Sequence, residues 1–169
     1  GGGDSYIAKL NSKGTLVYEQ KSGTSGADQV SATAIAPDGG LVVASMQNGH
    51  AILSKYANGD ATQAPVWQVD LGNLQNGGAI GGLTVSGGNI YVSGTTSNTA
   101  LNAGGAASIA NASSGGTDAF VMALTDSGTS VSADHVSYVG TSSADQGGGV
   151  TVGSDGTVYL TGTTKGTFA

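Results

Sequence analysis

Asp118-Ala-Phe-Val-Met-Ala-Leu124 is the third copy of a pattern that also reads Asp4-Ser-Tyr-Ile-Ala-Lys-Leu10 and His50-Ala-Ile-Leu-Ser-Lys-Tyr56. Tyr6, Ile52 and Phe120 align, as do Ala8, Ser54 and Met122, and then Leu10, Tyr56 and Leu124. Each copy runs into a turn, Asn11-Ser-Lys-Gly14, Ala57-Asn-Gly-Asp60 or Thr125-Asp-Ser-Gly128. A second strand then leads to Gly23, Gly72 or Gly140, with Tyr18, Trp67 or His135 five residues before the glycine. Repetition at this scale marks a protein assembled from one supersecondary unit.

Outward from these hairpins lies a second kind, also present three times. Its returning strands are Leu41-Val-Val-Ala-Ser45, Ile90-Tyr-Val-Ser-Gly94 and Val158-Tyr-Leu-Thr-Gly162, entered through Asp38-Gly-Gly40, Gly87-Gly-Asn89 and Asp155-Gly-Thr157. Asp-Gly and Gly-Gly between apolar runs signal a hairpin, because tight turns need positive φ. The leading strands carry Thr33/Ile35, Leu83/Val85 and Val150/Val152, alternation that gives each one buried face. No helical period appears.

Two hairpin types in alternation predict an all-β chain of three blade-equivalents, each a four-stranded antiparallel sheet: a partial β-propeller or a segment of a larger one. The repeat copies span about 1–49, 50–115 and 116–169, and 97–115 is an inserted, exposed loop. Strands near 30–36, 41–45, 51–56 and 64–71 form the one sheet continuous in sequence. The other hairpins are expected to pair across the insertion and across the two ends. Tyr6, Ile52, Phe120, Val43, Val92 and Leu160 are the expected buried positions. Three such units are fewer than the four to eight or so that close a ring, so the expectation is a segment of a longer repeat protein or closure by self-association.

Composition narrows the function. The 169 residues include 31 Gly, no Cys, 5 Lys and 11 Asp+Glu, with 38% hydrophobic and only 9% charged residues. Low charge with ample apolar content describes a folding chain. A net charge of −6 without arginine excludes a phosphate-reading surface, so no nucleic acid partner is expected. No apolar run is long enough to predict a membrane-spanning helix, and GGGDSYIAKL has no signal-peptide pattern, so the expectation is either a cut start or export through a signal elsewhere.

Gly115-Gly-Thr-Asp-Ala-Phe-Val121 and Ser154-Asp-Gly-Thr-Val-Tyr-Leu-Thr-Gly-Thr-Thr164 resemble the SBBP β-propeller repeat of bacteria, a seven-bladed-propeller-like family. Gly94-Thr-Thr96 and Gly2-Gly-Asp4 match more loosely, and the middle copy departs at His50. The resemblance spans nearly the whole chain except the insertion. It implies architecture and an extracellular or cell-surface bacterial setting, and it implies no reaction.

The chemistry-bearing residues fit repeat slots. Asp4 and Asp118 are equivalent, and Asp28 and Asp145 each lie five residues after a repeat glycine. Calcium needs several converging oxygens, whereas these carboxylates stand singly in sequence, so each reads as a cap on nearby backbone N–H groups. His50 and His135 replace Asp and aromatic residues of other copies, and neither has zinc or triad partners in sequence. Trp67, Tyr18, Tyr91 and Tyr159 recur at fixed strand positions and read as packing between sheets. The expectation is therefore no catalytic, cofactor-binding or metal-binding residue and no cofactor. The leading functional reading is a non-enzymatic structural and interaction module of a secreted or surface protein. Its partners would be neighbouring repeats, a second copy or a surface protein, with 97–115 the contact element. The alternatives are a carbohydrate-binding propeller, which needs exposed aromatics grouped on one face, and a propeller enzyme acting on polysaccharide, which needs paired carboxylates; the sole glutamate is Glu19.

Overall fold

A strand that is apolar at consecutive positions, as Leu41-Val-Val-Ala44 is, can satisfy both faces only between two other layers. The computed structural model, which describes residues 5–22, 28–105 and 107–168, places it there. The chain is all-β. It opens with a hairpin of β1 (Ser5–Leu10) and β2 (Leu16–Ser22). Next comes an antiparallel sheet of β3 (Asp28–Ile35), β4 (Leu41–Gln47), β5 (His50–Tyr56) and β6 (Trp67–Asn73), in sequence order. One short 3-10 turn, Ala57–Gly59, leaves β5.

A second large sheet combines β7 (Ala79–Ser86) and β8 (Asn89–Thr96) with β10 (Asp118–Asp126) and β11 (Val131–Val139). Its edge is extended by β9 (Ser108–Asn111), which runs parallel to β11. The hairpin β12 (Asp145–Val152) and β13 (Val158–Thr164) completes the described chain. The four-stranded sheet thus matches the expected sequence positions, and β8 pairs with β10 across the insertion, Val92 opposite Met122.

Two cores hold the layers. Val42, Ala44, Leu53, Trp67 and Leu71 of the first large sheet meet Ile90, Val92, Phe120, Met122 and Leu124 of the second. On the other face of β4, Leu41 and Val43 pack with Ile7 of the first hairpin and Ala61. Each large side chain removed from water contributes roughly 1.5–3 kcal/mol. At the far side, β12 approaches β7 backbone to backbone. A Cβ on Gly81 would lie 2.6 Å from the Gly148 carbonyl oxygen, and one on Gly82 2.9 Å from the Val150 nitrogen. The Gly-rich stretches are what let these strands touch. A Gly81→Val substitution is expected to cost about 1–3 kcal/mol through overpacking. Hydrogen exchange should show faster opening of 145–152 and 158–164, with little change in β4 and β5.

Three expectations need correction. The two end hairpins do not join into a third sheet; β1–β2 and β12–β13 are separate two-stranded sheets. Tyr6 is 69% exposed, and Leu160 is only half-buried, whereas Ile52, Phe120, Val43 and Val92 are buried. Periodicity reports which face a side chain takes, and at the two ends no sheet among the described residues covers that face. The insertion is not wholly an exposed loop: Leu101 and Ala103 close over the main core, and 108–111 adds a strand. The turn expectation holds: Gly39, Gly87 and Gly156 take positive φ in the β3–β4, β7–β8 and β12–β13 connections, and Asn48-Gly49, φ 51° and 82°, adds a tight turn between β4 and β5. Asp4 and Gly23 lie outside the described residues.

Candidate functional site

Lysine at position 55 follows Ala51 and Leu53 at strand spacing, so β5 must turn it toward the core. It is 2% exposed, and a buried ammonium requires partners. Its Nζ donates to Asp38 Oδ2 at 2.6 Å, in the β3–β4 connection, and to Asp126 Oδ2 at 2.5 Å, at the end of β10. Trp67 Nε1 donates to Asp126 Oδ1 at 3.1 Å, and the Gly128 amide donates to the same oxygen at 2.9 Å. The cluster ties the two large sheets together. Burial alone would lower the Lys55 pKa, but the hydrogen bonds it donates to Asp126 and Asp38 outweigh it and hold the pKa above 10.5. An amine base or Schiff-base nucleophile requires the opposite shift. This lysine is a clamp.

The pH response follows from the signs. The Lys55 hydrogen bond, then the Gly40 amide, holds Asp38 below its ordinary 3.8, so its contribution is present above 3.8 and lost as acid protonates it in the folded state. Lys55 is raised, so its contribution is complete below 10.5 and lost as pH rises through the folded-state value. Burial likewise raises the pKa of the Tyr138 hydroxyl, which accepts a hydrogen bond from the Leu101 amide at 3.0 Å and so holds the insertion. Urea midpoints should therefore be level through neutral pH and fall below 3.8 and above 10. Lys55→Met should flatten the alkaline fall without abolishing it, because Tyr138 remains.

A second polar cluster assembles where β10 begins and β11 ends. Asp118 is 1% exposed and Asp145 2% exposed, and both carboxylates lie against Gly140, where no side chain stands between them. Asp118 Oδ2 accepts from the Ser113 hydroxyl at 2.5 Å and the Ser114 amide at 3.2 Å. Asp145 Oδ2 accepts from the Thr141 amide at 2.5 Å and the Thr141 hydroxyl at 3.0 Å. The Thr164 hydroxyl, then the Thr141 amide, holds Asp145 below the ordinary carboxylate value. Asp118 Oδ1 has no hydrogen bond. Both aspartates thus cap backbone, as their slots in the repeat predict. Sequence spacing does not reveal that they converge, because Asp118 opens its hairpin and only Asp145 follows the repeat glycine. Two carboxylates fall short of the six to eight oxygens of a calcium shell, and among the described residues no group of three or more metal-ligating side chains is arranged to hold an ion.

The remaining candidates are dispersed. His50 Nδ1 and Asp70 Oδ2 are 2.8 Å apart in a cross-strand pair, 41% and 50% exposed. His135 lies exposed on β11 opposite Ala123. Trp67 is buried, and the Tyr18 hydroxyl donates to the Gly59 carbonyl at 2.8 Å, so both pack as the repeat predicts. Tyr159 instead is 57% exposed, on the last hairpin, far in the stack from the 69% exposed Tyr6. The exposed aromatics are thus split between the two ends, Tyr6 at one and Tyr159 and Phe168 at the other.

Two open grooves flank the stack. One, of about 300 Å³, runs beside β1 and over β3 and β4, lined by Tyr6, Ala8, Val30, Ile35 and Leu41 among others. The other, of about 260 Å³, runs beside β13 and is lined by Ala119, Val139, Leu160, Thr163 and Phe168 among others.

No family model matches the chain. It is similar to the regulatory protein FlaEY of Caulobacter vibrioides, 30% identical over 192 aligned positions that take in 96% of this chain. The chain spans about a fifth of the length of that curated relative. No helix among the described residues is long and apolar enough to cross a membrane.

Proposed function

We propose that this chain is a non-catalytic structural and interaction module of a bacterial repeat protein displayed outside the cell, with a propeller-like stacking of its sheets. The observation that carries the reading is the state of the end layers. Each end hairpin packs on a large sheet with one face and leaves apolar residues, Tyr6 and Leu10 at one end, Tyr159 and Phe168 at the other, in solvent. Such faces belong to a layer that continues into a neighbour. The insertion supports it: Leu101 anchors the segment, while all four residues of β9 are exposed and Ile109 stands 50% open. The buried, charge-clamped Lys55 and capping Asp118 and Asp145 perform structural work. Similarity to a stretch of a protein named as regulatory is compatible with binding to protein.

An epitope inserted after Asn111 tests the reading in the source cell. Protease added to intact cells should remove it, and polysaccharide incubated with the purified chain should release no new reducing ends. An epitope protected until the cells are lysed would contradict the surface assignment.

A further inference from the structure

The two end hairpins, separate in this chain, occupy complementary strand positions of the repeat sheet. By repeat position, β1 corresponds to β5 and β10, each of which has a returning strand on one side and an outer strand on the other. β1 has its outer strand, β2, and among the described residues lacks the other neighbour. β13 corresponds to β4 and β8, each flanked by its hairpin partner and by a β5- or β10-type strand. β13 has its hairpin partner, β12, and lacks the second. What one end lacks, the other end carries.

We propose that β13 of one copy pairs antiparallel with β1 of a second copy, so that the two hairpins complete a four-stranded sheet between molecules. The proposal rests on the interaction-module reading and names its partner. The register follows from the two complete sheets, which agree with each other. Ser45 opposes Ile52, Val43 opposes Ser54 and Leu41 opposes Tyr56; Gly94 opposes Phe120, Val92 opposes Met122 and Ile90 opposes Leu124. The same alignment sets Gly162 opposite Tyr6, Leu160 opposite Ala8 and Val158 opposite Leu10.

The grooves fit this arrangement. The one beside β13 exposes Val139 and Phe168 where the incoming β1–β2 hairpin would lie, and the one beside β1 exposes Ile35 where β12–β13 would lie. Charge favours joining unlike ends. The first hairpin carries Lys9, Lys13 and Lys21 against Glu19, whereas the exposed aspartates of residues 118–168 are Asp134 and Asp155, against Lys165. Two N-terminal ends, or two C-terminal ends, would place like charges together.

The absence of cysteine makes the test direct. Directly opposed strand residues bring Cβ atoms within about 4.5–5.5 Å, close enough for a disulfide with small adjustment. Ala8→Cys and Leu160→Cys chains, mixed under mild oxidation, should form the mixed disulfide at least about tenfold faster than Ala8→Cys with Tyr159→Cys, because a one-residue slip turns the side chain to the opposite face. Light scattering of the unmodified chain should show mass rising with concentration and falling with salt. Equal rates for the two mixtures, no cross-linking, or a monomer at every concentration would overturn the proposal. So would an intramolecular disulfide in the Ala8→Cys/Leu160→Cys double variant at high dilution, which would mean that one chain closes on itself. None of these failures would alter the protease result on intact cells, so the two readings fail separately.

Discussion

Replacing Lys55 with methionine will destabilise the folded chain by about 3–5 kcal/mol, the usual cost of stranding a buried charge. Asp126, whose side chain is 6% exposed, would lose its cation and, among the described residues, keep the Trp67 and Gly128 donors. Asp38 is 54% exposed and can turn to water, so it contributes little to the loss. The double variant Lys55→Met/Asp126→Asn should recover much of the stability, since it removes the charge instead of orphaning it. Urea titration of the four members of this cycle gives the coupling directly. A single variant within about 1 kcal/mol of the parent would mean that the clamp is not formed, because an exposed pair contributes no more than that.

Phe120→Ala is expected to cost about 3–5 kcal/mol, in the range for emptying a large aromatic from a closed core. Phe120 is fully buried between the two large sheets, among Val92, Met122 and Tyr138. The equivalent position in the first copy is Tyr6, 69% exposed, and Tyr6→Ala in a monomeric chain should change stability by less than about 0.5 kcal/mol. Thermal or urea unfolding of both variants checks the pair. Equal losses would show that the end hairpin is covered as fully as the interior.

The contrast between Phe120 and Tyr6 shows where a sequence stops being informative. Recurrence of Asp118–Leu124 and Leu41–Ser45 in the repeat marks strands apolar at consecutive positions, and the turn residues state where strands reverse, so the antiparallel strands of both large sheets could be read. Whether another layer lies over a face depends on distant residues, and the two end hairpins therefore looked like the halves of one closed sheet when they are separate. Leu101 and Ala103 were illegible for a related reason: lone apolar residues in a Gly/Ala/Ser/Asn tract have no period to betray burial. Lys55 was legible in principle, since it keeps the core phase of Ala51 and Leu53, but its phase alone does not locate Asp126, 71 residues away. Asp118 and Asp145 were read correctly as caps, and their convergence on Gly140 emerged only from the fold.

Pairing of β8 with β10 across the insertion is the feature on which the stacked-sheet account depends most. Cross-strand nuclear Overhauser contacts in an isotopically labelled, dilute sample report it directly. The account predicts close backbone contacts between Gly94 and Phe120 and between Val92 and Met122, together with those between Ser45 and Ile52 in the neighbouring sheet. Contacts placing 118–126 beside 145–152 as paired strands, with none to 89–96, would contradict it.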